Sequence, residues 1–441
     1  MKSSRIFKNG EDIIRNGKTP EIRKARGDLL SILSHAIEKV DPYTVTSSYL
    51  DKIDLSIYDN IYLLAFGKAS VRMAEAVCDR VKIREGVVIT NENKMVRSGN
   101  VSTYLCDHPI PTSRNITATE RALSMLRHCK EKDLLLVLIS GGGSALLCKP
   151  RIPLHDMQVL FDLILKSGAD IMEFNTIRKH LSYVKGGQLA KLVKCDILSC
   201  IISDVVGDPI EFIASGPTAP DSTTFEDAKR ILDKYLLWDK IPASARDVIE
   251  KGLRGEIPET PKPGDEVFER VRNVIIANNK LACEGAKMKA EEMGYRAKII
   301  STSLTGEARE VGRYLVKEAL KKLGDGEVMI SGGETTVTVK GNGKGGRNQE
   351  MVLGCIEEVS STNLVFSSMA TDGIDGNSPS AGALIDGFSL KRSQEMGLNY
   401  REYLDNNDSY GFFSKLGDAL MTGSTGTNVM DIQVILRYRA T

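Results

Sequence analysis

The 441-residue chain has no long hydrophobic run, almost no net charge, no paired-cysteine motif and a single tryptophan. No fully apolar stretch exceeds six residues, the length of Leu134–Ile139, whereas a membrane-spanning helix needs about 20. Lys+Arg number 59 and Asp+Glu 58, a net charge of +1, so no global field draws the chain to nucleic acid or to anionic lipid. The eight cysteines (78, 106, 129, 148, 195, 200, 283 and 355) form no C-x-x-C pair. In a chain this long they read as reduced core thiols. The opening residues, MKSSRIFKNGEDIIRNGK, are polar and lack the apolar centre of a signal peptide. Together these absences predict a cytoplasmic protein whose partners are neither membranes nor nucleic acids.

Several catalytic signatures are also missing. No G-x-x-x-x-G-K-[S/T] occurs, which excludes a P-loop NTPase. No G-x-S-x-G elbow supports a hydrolase, and Ser144 has no evident base. The five histidines (35, 108, 128, 155 and 180) show neither H-x-x-x-H nor H-E-x-x-H spacing, and His180 sits in a helical N-T-I-R-K-H-L run as a structural residue.

What is abundant is glycine, 39 of 441 residues against an average near 7%. Much of it stands in short runs beside apolar segments. The runs at 61–66, 86–90, 133–140 and 196–203 are continuously apolar, as parallel strands buried on both faces are. Helical patterns lie between them, at Ser113–Lys130 and Asn175–Val193, after a helix over Glu21–Val40 with Leu29, Leu30, Leu33, Ile37 and Val40 on one face. This order predicts an α/β fold with a Rossmann-like parallel sheet. The proline-rich, charged stretch 255–268 reads as an interdomain linker, which divides the chain into 1–262 and a smaller α/β domain with a mixed sheet, 263–441. In the second part, 334–340 alternates Thr and Val, the pattern of a half-exposed edge or antiparallel strand.

Ligands in open α/β sheets bind at the carboxyl ends of strands, and the residues there form a consistent set. Lys68 follows the first strand. Ser140, Gly141, Gly142, Gly143 and Ser144 form a strand–glycine–helix junction suited to phosphate or carboxylate. Asp204 and Asp208 flank a Val-Val-Gly turn and could cap a helix, hold Mg²⁺ or deprotonate a hydroxyl. Ser331, Gly332, Gly333 and Glu334 follow another strand, and Asp372 and Asp375 a further one, with a turn role for Asp375. The loop 341–347 satisfies G-x-G-x-x-G, yet with Lys344 and Arg347 it looks more like a cationic phosphate clamp than a dinucleotide site. Glycine loops, cations and carboxylates are the parts of phosphoryl transfer.

At these motifs the sequence resembles the glycerate 2-kinase family, class II glycerate kinases with a DUF4147-type N-terminal domain and a MOFRL C-terminal domain. The resemblance runs through AFGKAS (65–70), LISGGGSALLCKP (138–150), NTIRKHLSYVKGGQLA (175–190), IISDVVGDPIEFIASGPTAPDSTTF (201–225), ISGGETTVTVKGNGKGGRNQE (330–350), ATDGIDGNSPSAGALIDG (370–387) and NDSYGFFSKLGDALMTGSTGTNVMD (407–431). It implies ATP-dependent phosphorylation of the 2-hydroxyl of D-glycerate, with Mg²⁺, in a cleft between the two domains. The family's catalytic lysine, aspartate and arginine fall on Lys68, Asp204 and Arg347. The 140–144 loop, Ser331–Glu334, Lys344 and Asp372 would contact substrate or nucleotide, and Asp208 and Asp372 are candidate Mg²⁺ contacts. Family habit also points to a homodimer. The rival enzyme reading, from the 341–346 fingerprint, is an NAD(P)H-dependent hydroxypyruvate reductase.

Overall fold

The protein is described here from a computed structural model covering residues 6–439. Two six-stranded sheets organise it. The first contains β1 (Ile61–Phe66), β2 (Glu85–Thr90), β3 (Val101–Leu105), β4 (Leu134–Ile139), β5 (Asp196–Ile202) and β6 (Val271–Ala277), in the order β3-β2-β1-β4-β5-β6. The pairings from β3 through β5 are parallel. Every residue of β1 and β4 is buried, which is why their sequences are continuously apolar rather than alternating. The edge strand β3 (VSTYL) is buried only at Val101 and carries no such signal.

The second sheet contains β7 (Arg296–Leu304), β8 (Glu327–Gly333), β9 (Leu364–Ala370), β10 (Gly382–Asp386), β11 (Ala419–Leu420) and β12 (Asp431–Arg437), in the order β11-β10-β9-β12-β8-β7. Its β7–β8 pair is parallel, whereas β12 runs antiparallel to both β8 and β9. The sheet is mixed, as expected, but its antiparallel members are not at 334–340. That segment forms no strand; Thr336 makes one isolated bridge to Glu307, and the Glu307 carboxylate takes the Thr338 N–H and hydroxyl.

The compact units divide the chain differently from 1–262 and 263–441. One unit is 42–276 and the other joins 1–41 to 277–441. Two physical causes move the boundary. The stretch 255–268 is not a linker: the Thr260 hydroxyl donates to buried Asp221 (2.9 Å), Asp221 N–H donates to the Pro261 carbonyl (2.9 Å), and Glu259 accepts from Phe225 N–H (2.8 Å). The strand after it, β6, then completes the first sheet. At the other end, the helix Pro20–Lys39 is capped by Thr19, and its apolar face (Ala25, Leu29, Leu33, Ala36) shares a core with Val328, Ile330 and Ile432 of the second sheet. Arg26 on that helix is fully buried and bonds Asp386 (2.6 Å) and Asp418 (2.8 Å). A buried guanidinium cannot leave such partners cheaply, so the helix belongs with them.

The helix expected over 175–193 is interrupted. It runs Ile171–His180 and resumes as Gln188–Lys191, because Gly186 and Gly187 take φ of +55° and +76° between the two pieces. Among the described residues no helix is long and apolar enough to cross a membrane.

Candidate active site

In the first sheet the strand order reverses direction between β1 and β4, and the crevice at the carboxyl ends of two such strands is where open parallel sheets bind ligands. Gly67-Lys68 leaves β1 there and Ser140–Ser144 leaves β4. The two loops are laced together: Lys68 N–H donates to the Gly141 carbonyl (2.8 Å) and Ala69 N–H to Ser140 Oγ (3.1 Å). Gly67 has φ +124°, and a Cβ there would lie 2.2 Å from Ser140 Oγ, so the junction admits no side chain. At Gly142, φ is +81°, and a Cβ would stand 3.0 Å from the His108 imidazole and 3.4 Å from Lys68 Cγ. His108 and the Lys68 stem therefore flank the glycine run. Burial and the Lys68 charge lower the His108 pKa.

The N–H groups of Gly141 and Gly142 donate no hydrogen bond among the described residues. The helix behind them is a single turn, Gly143–Leu146, too short to supply the dipole expected of it. An anion held at this loop is held by amides and side chains.

Behind the loop is a buried lysine. Lys185 Nζ donates to the carbonyls of Gly143 (3.1 Å) and Ala214 (3.2 Å), and burial, reinforced by the Arg178 charge, pushes its pKa down to about 7. Ala214 and Ser215 both take positive φ, 52° and 63°, a strained pair held by these contacts. The Ser215 hydroxyl donates to Asn175 Oδ1 (2.9 Å). Having only one proton, it then accepts from Ser144 at 2.8 Å.

Asp204 and Asp208 are half-buried just beyond β5. They do not cap an α-helix, since none begins before Phe225. Instead Asp208, at φ 57°, closes a turn with its N–H on the Val205 carbonyl (3.1 Å).

The unit of the second sheet has its own cluster, around Arg347 at the start of the helix Arg347–Gly354. Its Nε and NH2 groups donate to Asp431 Oδ2 (2.5 Å) and Oδ1 (3.0 Å), and its NH1 lies 2.7 Å from Glu334. Asp431 is fully buried, and burial raises its pKa to about 6; burial, with Asp431 and Asp372 nearby, also raises that of Glu334. Arg347 and Glu334 line a cavity of about 550 Å³ together with Thr336, Val339, Gly345 and Gly376. Ser331, Gly332 and Gly333 do not follow β8 but lie within it. Ser331 donates to Gln433, and a Cβ on Gly332 or Gly333 would strike Asn279 or Leu304, so these three serve packing and Glu334 is the first of the group to reach the cavity.

The 341–347 loop is also built differently from a phosphate clamp. Most of its N–H groups, and that of Lys340 before it, are already bonded: those of Lys340 and Gly341 to Asn407, Asn342 and Gly343 to Asn406, Lys344 to Asp408 and Gly345 to Asn377. The helix N-terminus is occupied by the buried Asp375 carboxylate, which accepts from the Asn348 and Gln349 N–H groups (3.0 and 2.9 Å). As a dinucleotide fingerprint the loop is poor, because most of its amides are taken and the helix end already holds Asp375; within the loop the Gly346 and Arg347 N–H groups alone make no hydrogen bond among the described residues. The Lys344 side chain remains exposed.

The sequence matches a domain of unknown function, DUF4147, over residues 28–250 and the MOFRL family over residues 327–431. It is 41% identical to the glycerate 2-kinase of Pyrococcus horikoshii, over 92% of this chain and 96% of that one. The chain belongs to the glycerate 2-kinase family. The D-glycerate 2-kinase of Thermotoga maritima is 40% identical over 91% of this chain and 96% of its own length. A crystal structure of a glycerate kinase from the same organism superposes with a TM-score of 0.84 at 39% identity, covering 92% of this chain and 97% of that one.

Within this glycerate 2-kinase fold, no group of three or more His, Cys, Asp or Glu side chains among the described residues is arranged to hold a metal ion. Asp208 and Asp372 are thus not part of a protein-built cage. Such a donor set would suit Mg²⁺ only as an ion carried on phosphates and touched by one or two carboxylates. Sequence reasoning assigned no binding role to His108, Asn175, Arg178, Lys185, Ser215 or Asp431. All but His108 lie in the family-like stretches, yet their types and spacing alone are those of ordinary helix and loop residues.

Proposed function

We propose that the protein transfers the γ-phosphoryl group of ATP to the 2-hydroxyl of D-glycerate, giving 2-phosphoglycerate and ADP. The observation that carries this is end-to-end similarity to two enzymes named for that reaction, supported by an anion-suited loop at the switch point of the first sheet. Asp204 accepts or orients the proton of the attacking hydroxyl. Lys68 and Arg347 offset charge on the carboxylate and the transferring phosphoryl group. The open amides of Gly141 and Gly142, with Ser140, Gly143 and Ser144 around them, position an anion. Glu334, Lys344 and Asp372 contribute from the second unit. Mg²⁺, when bound with ATP, supplies charge neutralisation on the phosphates, with Asp208 and Asp372 as candidate single contacts. The eight cysteines, all free, suit a cytoplasmic enzyme.

The test is a coupled assay with two substrate pairs, followed by phosphorus NMR of the product. D-glycerate with ATP should yield ADP and the 2-phosphate without nicotinamide. NAD(P)H consumption with hydroxypyruvate and no ADP formation would overturn the proposal, and a 3-phosphate product would overturn its regiochemistry.

A further inference from the structure

Adjacent residues on the helix Ile171–His180 treat their charges in opposite ways. Lys179 is fully buried and paired, with Asp221 at 3.1 Å and Glu211 at 3.8 Å. Arg178, next to it, has no carboxylate within ion-pair distance among the described residues. Its guanidinium carbon lies 4.2 Å from the Phe174 ring centroid and 5.0 Å from that of Phe161. Its Nε is buried without a partner, and NH1 makes one bond, to Asn175 Oδ1 at 3.3 Å. Burial lowers its pKa to about 10, so it is still a full cation at neutral pH. A cation held among aromatic rings with no counter-ion is costly, and because Arg178 as a whole is only half-buried its terminal nitrogens stay open to a ligand that brings the missing charge.

Hydrogen bonds tie this cation to the switch-point loop. Asn175 Oδ1 receives both Arg178 and Ser215, and Ser215 receives Ser144. With Oδ1 so occupied, the Asn175 amide nitrogen points away from both donors and makes no hydrogen bond among the described residues. The open donors are then the terminal nitrogens of one planar guanidinium and one carboxamide nitrogen, with a single positive charge to match. A carboxylate fits that set: two oxygens, one charge, and the paired geometry guanidinium groups favour. A triphosphate carries several more charges than this donor set can meet.

We propose that Arg178, assisted by the Asn175 amide, binds the carboxylate of the acceptor substrate; the assignment rests on the kinase reading above, and so on D-glycerate as that acceptor. The Ser144–Ser215 pair then links carboxylate recognition to the loop beside Lys68.

The test compares wild type with Arg178→Gln, which keeps a stem between the two rings, and Arg178→Lys, which keeps the charge; melting temperatures check folding in each. In Arg178→Gln the KM for D-glycerate should rise at least tenfold while the KM for ATP stays within about twofold. Arg178→Lys should fall between wild type and Gln. As competitive inhibitors, D-glycerate analogues with a carboxylate should outperform the neutral amide D-glyceramide on wild type, and Arg178→Gln should erase that preference. An unchanged KM for D-glycerate, or a rise in the KM for ATP of equal size, overturns the assignment while leaving the kinase reading intact. If wild type itself fails to phosphorylate D-glycerate, the kinase reading falls and this assignment falls with it.

Discussion

Arg347 grips Asp431 with two parallel hydrogen bonds, Nε to Oδ2 at 2.5 Å and NH2 to Oδ1 at 3.0 Å, fixing the first residue of a helix to the first residue of β12. The guanidinium is thereby oriented before any ligand arrives, with only NH1 shared by Glu334. Asp431→Asn keeps the shape and removes the charge. Steady-state kinetics should show kcat reduced about tenfold or more if Arg347 acts as proposed, since the variant loses one charge-assisted contact that orients it. An unchanged kcat would mean that Glu334 alone positions Arg347.

The same carboxylate sets a pH dependence. Burial raises the Asp431 pKa from 3.8 to about 6, so the fold favours the protonated form. That contribution to stability is complete below about pH 4 and is lost as pH rises through about 6. The ion pair with Arg347 has the opposite dependence and weakens below about pH 6. Turnover should therefore fall below pH 6 without a matching fall in melting temperature from this group, and Asp431→Asn should lack that limb of the pH–rate profile.

Lys185 titrates in the other direction. Its folded pKa of about 7 lies below the ordinary 10.5, so the fold favours the neutral amine, and stability gained on this account appears as pH rises from about 7 toward 10.5 and is lost on the way down. Lys185→Met removes that titration and leaves the Gly143 and Ala214 carbonyls without their donor, at about 1–3 kcal/mol each. Thermal melts should show the wild type gaining more stability between pH 7 and pH 9 than the variant does. Equal gains would show that the amine is not the titrating group.

Gly67→Ala places a methyl group 2.2 Å from Ser140 Oγ at a φ of +124°. We expect a loss of about 2–4 kcal/mol with severely reduced activity, read by denaturant unfolding and by turnover. Gly99, with nothing within 4 Å of its built Cβ, is the control that should accept alanine.

Lys68→Ala and Asp204→Asn should each lower kcat/KM by about a hundredfold or more while the melting temperature moves by only a few degrees. Arg347→Ala should lose activity equally but also melt earlier, because it strands the buried Asp431 carboxyl without its cation. Near-normal kcat in Asp204→Asn would remove that residue as the proton acceptor.

The parallel sheet was legible because burial on both faces writes itself as unbroken apolar runs; β1 spans the same residues, 61–66, that its sequence outlines. The second sheet was harder to read. The Thr/Val alternation at 334–340 imitates a strand, yet Thr338 bonds to the Glu307 side chain and Thr336 and Val339 line a cavity, while the antiparallel partner of β8 is β12, about a hundred residues farther along the chain. The glycine loops were found, but not the reasons for their glycines. At 341–346 glycine permits close contact with Asn406, Asp408 and Asp375, and only at 67 and 142 does it shape the crevice. Lys185, Arg178 and Asp431 were invisible as functional candidates, since what distinguishes them is burial and the presence or absence of a partner.

Apart from the short stretch just ahead of it, the helix Pro20–Lys39 finds its packing partners only after residue 277. During synthesis it leaves the ribosome long before them, whereas 42–276 emerges with every strand of its own sheet in sequence. Assembly should then run from the middle of the chain outward, with the Pro20–Lys39 helix gaining its first later partner in the helix Asn279–Glu292 and its last in β12. A truncation at either terminus should thus damage the same half of the protein, and a nascent chain that has emerged only as far as residue 277 should hold a finished first sheet while the Pro20–Lys39 helix still lacks its partners from the second.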